Sequence, residues 1–278
     1  YREIVKTLLR NFVIALLIAA LIVILTPLIN FSIQHFFNTS TETQKLINTY
    51  VNVRVFSVPA ELIIYILVGF YLGIQKTNIS SLLIVTFSVL NIVFSSVLVL
   101  SYNLNVFGVA LGTLIASYIT LIIFTFISYN FIIKKFKIIP RFEKLIVQSK
   151  ILKLLNINLD IFIRTLFLTF SFLWVTYQGS KLGEDYLAVN TILMQFIILA
   201  AFFLDAFAFS TEGIVGYSIG KRNKKSFFQV VKNSIQLSFV TALIISILYM
   251  IFFKDIINII TDIEFLRFIS YQHFIWII

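Results

Sequence analysis

The sequence predicts an all-α integral membrane protein, and three observations predict it. Of its 278 residues, 60% are hydrophobic and only 12% are charged, where soluble domains carry about 25% charged residues. The apolar residues gather in runs of about 20 or more, the length a helix needs to cross a hydrocarbon core of about 30 Å. Those runs lack the alternation, in segments of about ten residues, that marks a transmembrane barrel strand.

Eight segments follow in order: 9–34, 47–73, 79–101, 107–132, 153–178, 186–219, 226–253 and the beginning of one from 266. Each is expected to be helical, because lipid offers no partner to open backbone groups. The first follows Arg2, Lys6 and Arg10. The second lies beyond Lys45, holds Arg54, Pro59 and Glu61, and ends in "GFYLG" (69–73). The third carries "LNIVFSS" (90–96) and the fourth "GVALG" (108–112). The fifth follows the basic stretch "KKFKIIPRFEKLIVQSKILK" (134–153) and contains Asp160 and Arg164. The sixth holds Asp205 and Glu212 and runs into "KRNKK" (221–225).

The charges report topology. Alternate connections hold sixteen of the 22 basic residues, and the other set holds only Lys45, Lys181, Lys254 and Arg267. By the positive-inside rule the loops near 76, 133–152 and 220–226 are expected in the cytoplasm. The chain is then a multi-pass protein of the cell's inner (cytoplasmic) membrane, with the lipid bilayer as its first partner. Confinement of the +10 charge to loops argues against nucleic acid. The absence of Cys excludes disulfides and thiol chemistry, and His35 and His273 are too far apart in sequence to suggest a metal site. No clustered Asp pattern of the kind that holds Mg²⁺ and diphosphate is present, so the expectation is no enzyme and no resident cofactor or metal.

An internal repeat organises the chain. "ALIVILTPLINFSI" (20–33) resembles "ALIISILYMIFFKDIINII" (242–260), and "INTYVNVRVF" (47–56) resembles "FISYQHFIWI" (268–277), both at an offset of about 221. Both copies leave a basic connection in the same direction, as in a parallel repeat. The expected architecture is two pseudo-symmetric six-helix bundles, 12 spans in an intact protein, of which this chain carries about eight. The expected boundaries are an N-terminal lobe over 1–138, a cytoplasmic linker over 139–152 and a C-terminal lobe over 153–278. Eight of the nine glycines fall in GxxxG pairs (69/73, 108/112, 179/183, 216/220), a spacing that lets membrane helices approach closely.

Four stretches carry a resemblance. "PAELIIYILVGFYLGIQKT" (59–77), "NLNVFGVALGTLIASYITLIIF" (103–124), "LNINLDIFIRTLFLTFSFLWVTYQGSKLG" (155–183) and "FFLDAFAFSTEGIVGYSIGKRN" (202–223) resemble the fourth, sixth, seventh and eighth helices of the multidrug and toxic compound extrusion (MATE) family, in its DinF-like branch. The resemblance implies that the chain covers about helices 3 to 10 of a proton- or sodium-driven exporter of organic compounds. It also implies a cation site in the first lobe, to which Asn91 and Thr113 correspond. Ser95 stands where that site has an Asp, so the site is not carried over intact, and Lys76 stands in the Asp position of the family's "QDT".

Ionisable groups inside spans normally face a cavity or a partner. Glu61 either titrates or binds a cation in place of the acid missing at Ser95, or it pairs with Arg54 two turns back or reaches outward. Asp160 and Arg164, four apart, suit an ion pair that is structural or gates the transporter, with a direct transport role as the alternative. Asp205 and Glu212 share a helix face; they either exchange protons and attract cationic substrates, or pair with Arg164 and polar groups of the neighbouring helix. Tyr65, Tyr177, Asn190 and Gln195 are the substrate-cavity candidates, against plain packing.

The expected function is a cation-coupled antiporter, a monomer, that exports small organic substrates, cationic ones among them, by alternating access between the lobes. Its coupling ion is H⁺ or Na⁺. The alternatives are a flippase for lipid-linked oligosaccharide of the same superfamily, against which the scarcity of intramembrane cations weighs, and a non-transporting degenerate paralogue, which Ser95 favours.

Overall fold

A computed structural model of the chain describes residues 2–36, 41–138 and 148–276. Among the described residues every regular element is helical: α1 (Arg2–Ile24), α2 (Thr26–Phe36), α3 (Thr41–Arg54), α4 (Val58–Gly73), α5 (Thr77–Ser96), α6 (Asn105–Phe131), α7 (Gln148–Lys181), α8 (Glu184–Gly220), α9 (Lys224–Ile260) and α10 (Glu264–His273). Among the described residues seven stretches are long and apolar enough to cross a membrane, Gln44–Gly73, Asn105–Phe136 and Lys224–Ile260 being three of them. The chain is an all-α, multi-pass membrane protein.

Proline rewrites two of the expected segments. The stretch read as one helix over 9–34 is two, α1 and α2, which meet at Leu25; Pro27 has no N–H to give to the carbonyl one turn back, and its ring disfavours continuation. The stretch over 47–73 is likewise divided by a 3-10 turn, Val55–Ser57, just before Pro59 in the first turn of α4. Single π-helical turns, Val97–Ser101 and Ile132–Phe136, close α5 and α6. In the α5–α6 connection Asn103 and Asn105 take positive φ angles of 53° and 46°, a conformation asparagine accepts more readily than most residues.

The chain divides into two units, Tyr1–Ile151 and Leu152–Ile278. In the first, α1, α4, α5 and α6 bring Val5, Leu8, Leu9, Ile64, Leu67, Leu83 and Phe124 into one buried cluster. Tyr71, fully buried beside it, shares a hydrogen bond of 2.9 Å with Ser128 and meets Phe131 edge-on. A buried hydroxyl with a partner avoids the desolvation loss that an orphaned one incurs.

The tightest crossing joins α5 to α6. A Cβ placed on Gly112 would stand 2.6 Å from the backbone nitrogen of Ser95, and one on Gly108 would stand 3.2 Å from the carbonyl of Leu98. At Gly112 a Cβ would force the facing backbone to shift, and at Gly108 the neighbour would have to give by a few tenths of an ångström. The other GxxxG pairs behave differently: among the described residues nothing lies within 4 Å of a Cβ added at Gly69, Gly73, Gly183, Gly216 or Gly220.

In the second unit α8 and α9 form a long antiparallel pair. Their turn is capped by Asn223, whose side-chain oxygen accepts from the Ser226 N–H at 3.0 Å, a cap worth about 1 kcal/mol. Further along, Thr211 donates to Ser234. At the far end Phe196, Tyr249, Phe253 and Phe274 stack into an aromatic core, with the Tyr249 hydroxyl donating to the Phe196 carbonyl at 2.8 Å. The α7 helix differs from all others. From Leu159 to Gln178 every side chain on it is exposed.

Candidate functional site

In the first unit the candidate residues fall into two polar groups. The first sits on the α5–α6 crossing. Asn91 and Thr113 are brought together: the Asn91 carboxamide donates to the Thr113 hydroxyl at 2.9 Å, and that hydroxyl donates to the Val109 carbonyl at 3.0 Å. Ser95, one turn along α5 from Asn91, lies against Gly112, and its hydroxyl oxygen is buried without a hydrogen-bond partner among the described residues. Buried polar atoms are nearly always paired, so an orphan marks a place where chemistry or a small ligand is to be sought.

The second group sits on the break between α3 and α4. The Arg54 guanidinium holds both Glu61 carboxylate oxygens: one nitrogen contacts Oε1 and the Ser57 hydroxyl, the other contacts Oε2 at 2.9 Å. The side chains are 28% and 15% exposed, so the pair is largely withdrawn from its surroundings. The break itself is sealed. Ser57 Oγ donates to the Arg54 carbonyl at 2.6 Å, and the Tyr118 hydroxyl of α6 donates to the Phe56 carbonyl at 3.1 Å. Tyr65, one turn beyond Glu61, is 66% exposed.

The second unit does not gather its acids. Asp205 and Glu212 are exposed on α8, and Asp160 and Arg164 are exposed on α7. Among the described residues no salt bridge of 4.0 Å or less joins any of these four, so the spacing of 160 and 164 does not close a pair. Tyr177 belongs to an aromatic file along α7, with Phe170, Trp174 and the Lys181 ammonium, whose nitrogen lies 4.4 Å from the Tyr177 ring centre. Asn190 lines a cavity of about 210 Å³ at the α7–α8 end of the unit. Gln195 is exposed on α8. Among the described residues no cluster of three or more His, Asp or Glu suited to a metal ion occurs.

Ser57, Tyr118, Gln178 and His273 are polar participants that the sequence did not single out. Ser57 was findable as the hydroxyl two residues before Pro59. Tyr118 was not, since its partner lies 62 residues away.

Comparison with known proteins fits this helical scaffold. The MatE family model matches residues 161–277. The chain is 32% identical over 272 residues to the DNA damage-inducible protein F of Escherichia coli (strain K12), a match that takes in 98% of this chain and 59% of that relative. Residues 161–277 of the chain are thus similar to the MatE family. The chain spans about three fifths of the first relative's length. A second relative, the multidrug export protein MepA of Staphylococcus saprophyticus, is 28% identical over 109 residues, covering 39% of this chain and 24% of MepA. A solved outward-facing multidrug resistance MATE family transporter of the MOP superfamily shares the fold, with a TM-score of 0.86 at 19% identity over 97% of this chain and 60% of its own.

Proposed function

We propose that this chain forms about the third to tenth helices of a proton- or sodium-coupled antiporter that exports organic compounds, cationic ones among them, by alternating access between two lobes. The lobes are assigned to 1–138 and 153–278, with 139–152 as a cytoplasmic linker and the turns near 76 and 220–226 on the same side. The working unit is a monomer in the inner membrane. The observation that carries this reading is the polar group on the α5–α6 crossing: a hydrogen-bonded Asn91–Thr113 pair beside the Ser95 hydroxyl, which is buried without a partner among the described residues.

Glu61 is the group assigned to couple the ion gradient. It is an acid inside a span, and its counter-ion is a guanidinium rather than a free cation, so protonation of Glu61 would release Arg54. Such an event biases two conformations only if they differ in affinity for the proton. Asp205 and Glu212 are assigned to proton exchange or cation attraction in the second lobe, and Asp160 and Arg164 to gating. Tyr65, Tyr177, Asn190 and Gln195 are assigned to the substrate path.

Dye efflux by the full-length protein in proteoliposomes, with proton and sodium gradients imposed separately, tests the reading. Efflux driven by one gradient is expected, and its absence under both rejects the proposal. In the same vesicles Glu61→Gln is expected to abolish gradient-driven efflux while dye counterflow persists; unchanged efflux removes Glu61 from the coupling role. The degenerate-paralogue reading is favoured by Ser95, and it makes an opposite prediction. Efflux would be absent in the native protein and would appear in Ser95→Asp.

A further inference from the structure

We propose that the cavity at the α7–α8 end of the second unit is a binding site for small neutral molecules that carry a carboxamide or lactam on an apolar body. The cavity has a volume of about 210 Å³ and is formed by the end of α7, the start of α8 and α10. Its walls include Val175, Leu193, Ile269 and the phenol of Tyr186, and its lining also holds three nitrogen-bearing polar side chains: Gln178, Asn190 and His273.

Each of these three has hydrogen-bonding capacity left over. Among the described residues no hydrogen bond engages the Gln178 or Asn190 carboxamide. The His273 Nδ1 lies 2.9 Å from the Ile269 carbonyl. A carbonyl only accepts, so Nδ1 carries the proton, and in the neutral ring Nε2 is left as a lone-pair acceptor. The cavity lining therefore holds amide N–H donors and a nitrogen acceptor. That set matches the C=O and N–H of an amide. Among the described lining residues there is no carboxylate, so an organic cation finds no counter-charge there.

Backbone geometry keeps the cavity open. A Cβ on Gly179 would stand 3.4 Å from the Asn190 side-chain nitrogen, so any longer side chain at 179 would reach towards the space Asn190 faces. The 179/183 GxxxG pair thus acquires a use other than helix packing. Pockets of this make, apolar walls with a few convergent polar groups, are the usual form of small-molecule sites.

The inference deepens the assignment of Asn190 to the substrate path and rests on it, and because binding is measured without a gradient its failure is distinguishable from a failure of transport. Benzamide is titrated against the full-length protein in detergent and followed by saturation-transfer NMR, with benzylammonium as its cationic counterpart. Saturable benzamide binding is expected, with benzylammonium about tenfold weaker, the factor carried by one or two unmade hydrogen bonds. Asn190→Leu is expected to weaken benzamide about tenfold. Asn190→Asp, nearly isosteric, is expected to reverse the order of the two ligands, a gain that misfolding does not produce. Non-saturable benzamide binding, benzylammonium preference in the native protein, or an unreversed order in Asn190→Asp each overturns the proposal.

Discussion

A guanidinium or a carboxylate at the centre of an apolar span each opposes insertion by about 2.5–3.5 kcal/mol, so neither Arg54 nor Glu61 is tolerable without the other. The bidentate contact between them removes much of that opposition, and Ser57 takes part in it. Glu61→Gln leaves the guanidinium facing a neutral partner. The expected loss is about 2 kcal/mol, the order of one lone charge in a span, read as a lowered unfolding temperature in detergent. Arg54→Gln/Glu61→Gln is expected to recover part of it, because no lone charge remains; strict additivity of the two single losses would show the pair to be uncoupled. The sequence made this pair legible as one of two readings, since seven residues put the two side chains on one helix face. It did not reveal the seal around it, because Tyr118 reaches Phe56 through tertiary structure alone. Nor did it reveal that Asp160 and Arg164 stay apart. Spacing of four permits an ion pair but does not enforce one where both side chains are exposed and each gains only a few tenths of a kcal/mol by meeting.

Helix packing gives the next level its own tests. At Gly112 the neighbouring backbone is too close for any side chain, so Gly112→Ala is expected to force α5 and α6 apart and lose about 1–3 kcal/mol. Gly216→Ala faces open space and is expected to be neutral or to gain up to about 1 kcal/mol from helix propensity. Thermal unfolding of the two variants side by side separates a structural glycine from an incidental one. Asn223→Ala at the α8–α9 turn is expected to lose about 1 kcal/mol with its cap. The existence and order of the helices were legible, because long apolar runs admit little else. The interruptions were less so. Pro59 lies inside the segment expected over 47–73 and Pro27 inside the one expected over 9–34, and the structure breaks both, at Val55–Ser57 and at Leu25. The four GxxxG pairs looked alike in sequence, yet among the described residues only 108/112 is met closely by the backbone of a neighbouring helix, because the pattern specifies room for a partner and not the partner.

At the scale of the whole molecule the testable quantity is sidedness. The chain contains no Cys, so single cysteines introduced at Leu182 and at Arg222 report without background from this region. An impermeant maleimide added to intact cells is expected to label position 182, between α7 and α8, and to leave position 222, in the basic turn, unlabelled. The opposite pattern would invert the topology that the basic residues imply. The close fit of Ser95 against Gly112 has a use in any study of the working cycle. With no slack at their crossing, α5 and α6 travel as one piece, and probes at the exposed positions Ile92 and Ile122 keep a constant separation whatever the rest of the protein does. Spin labels at those two sites form an internal ruler, against which changes of distance elsewhere in the protein are calibrated.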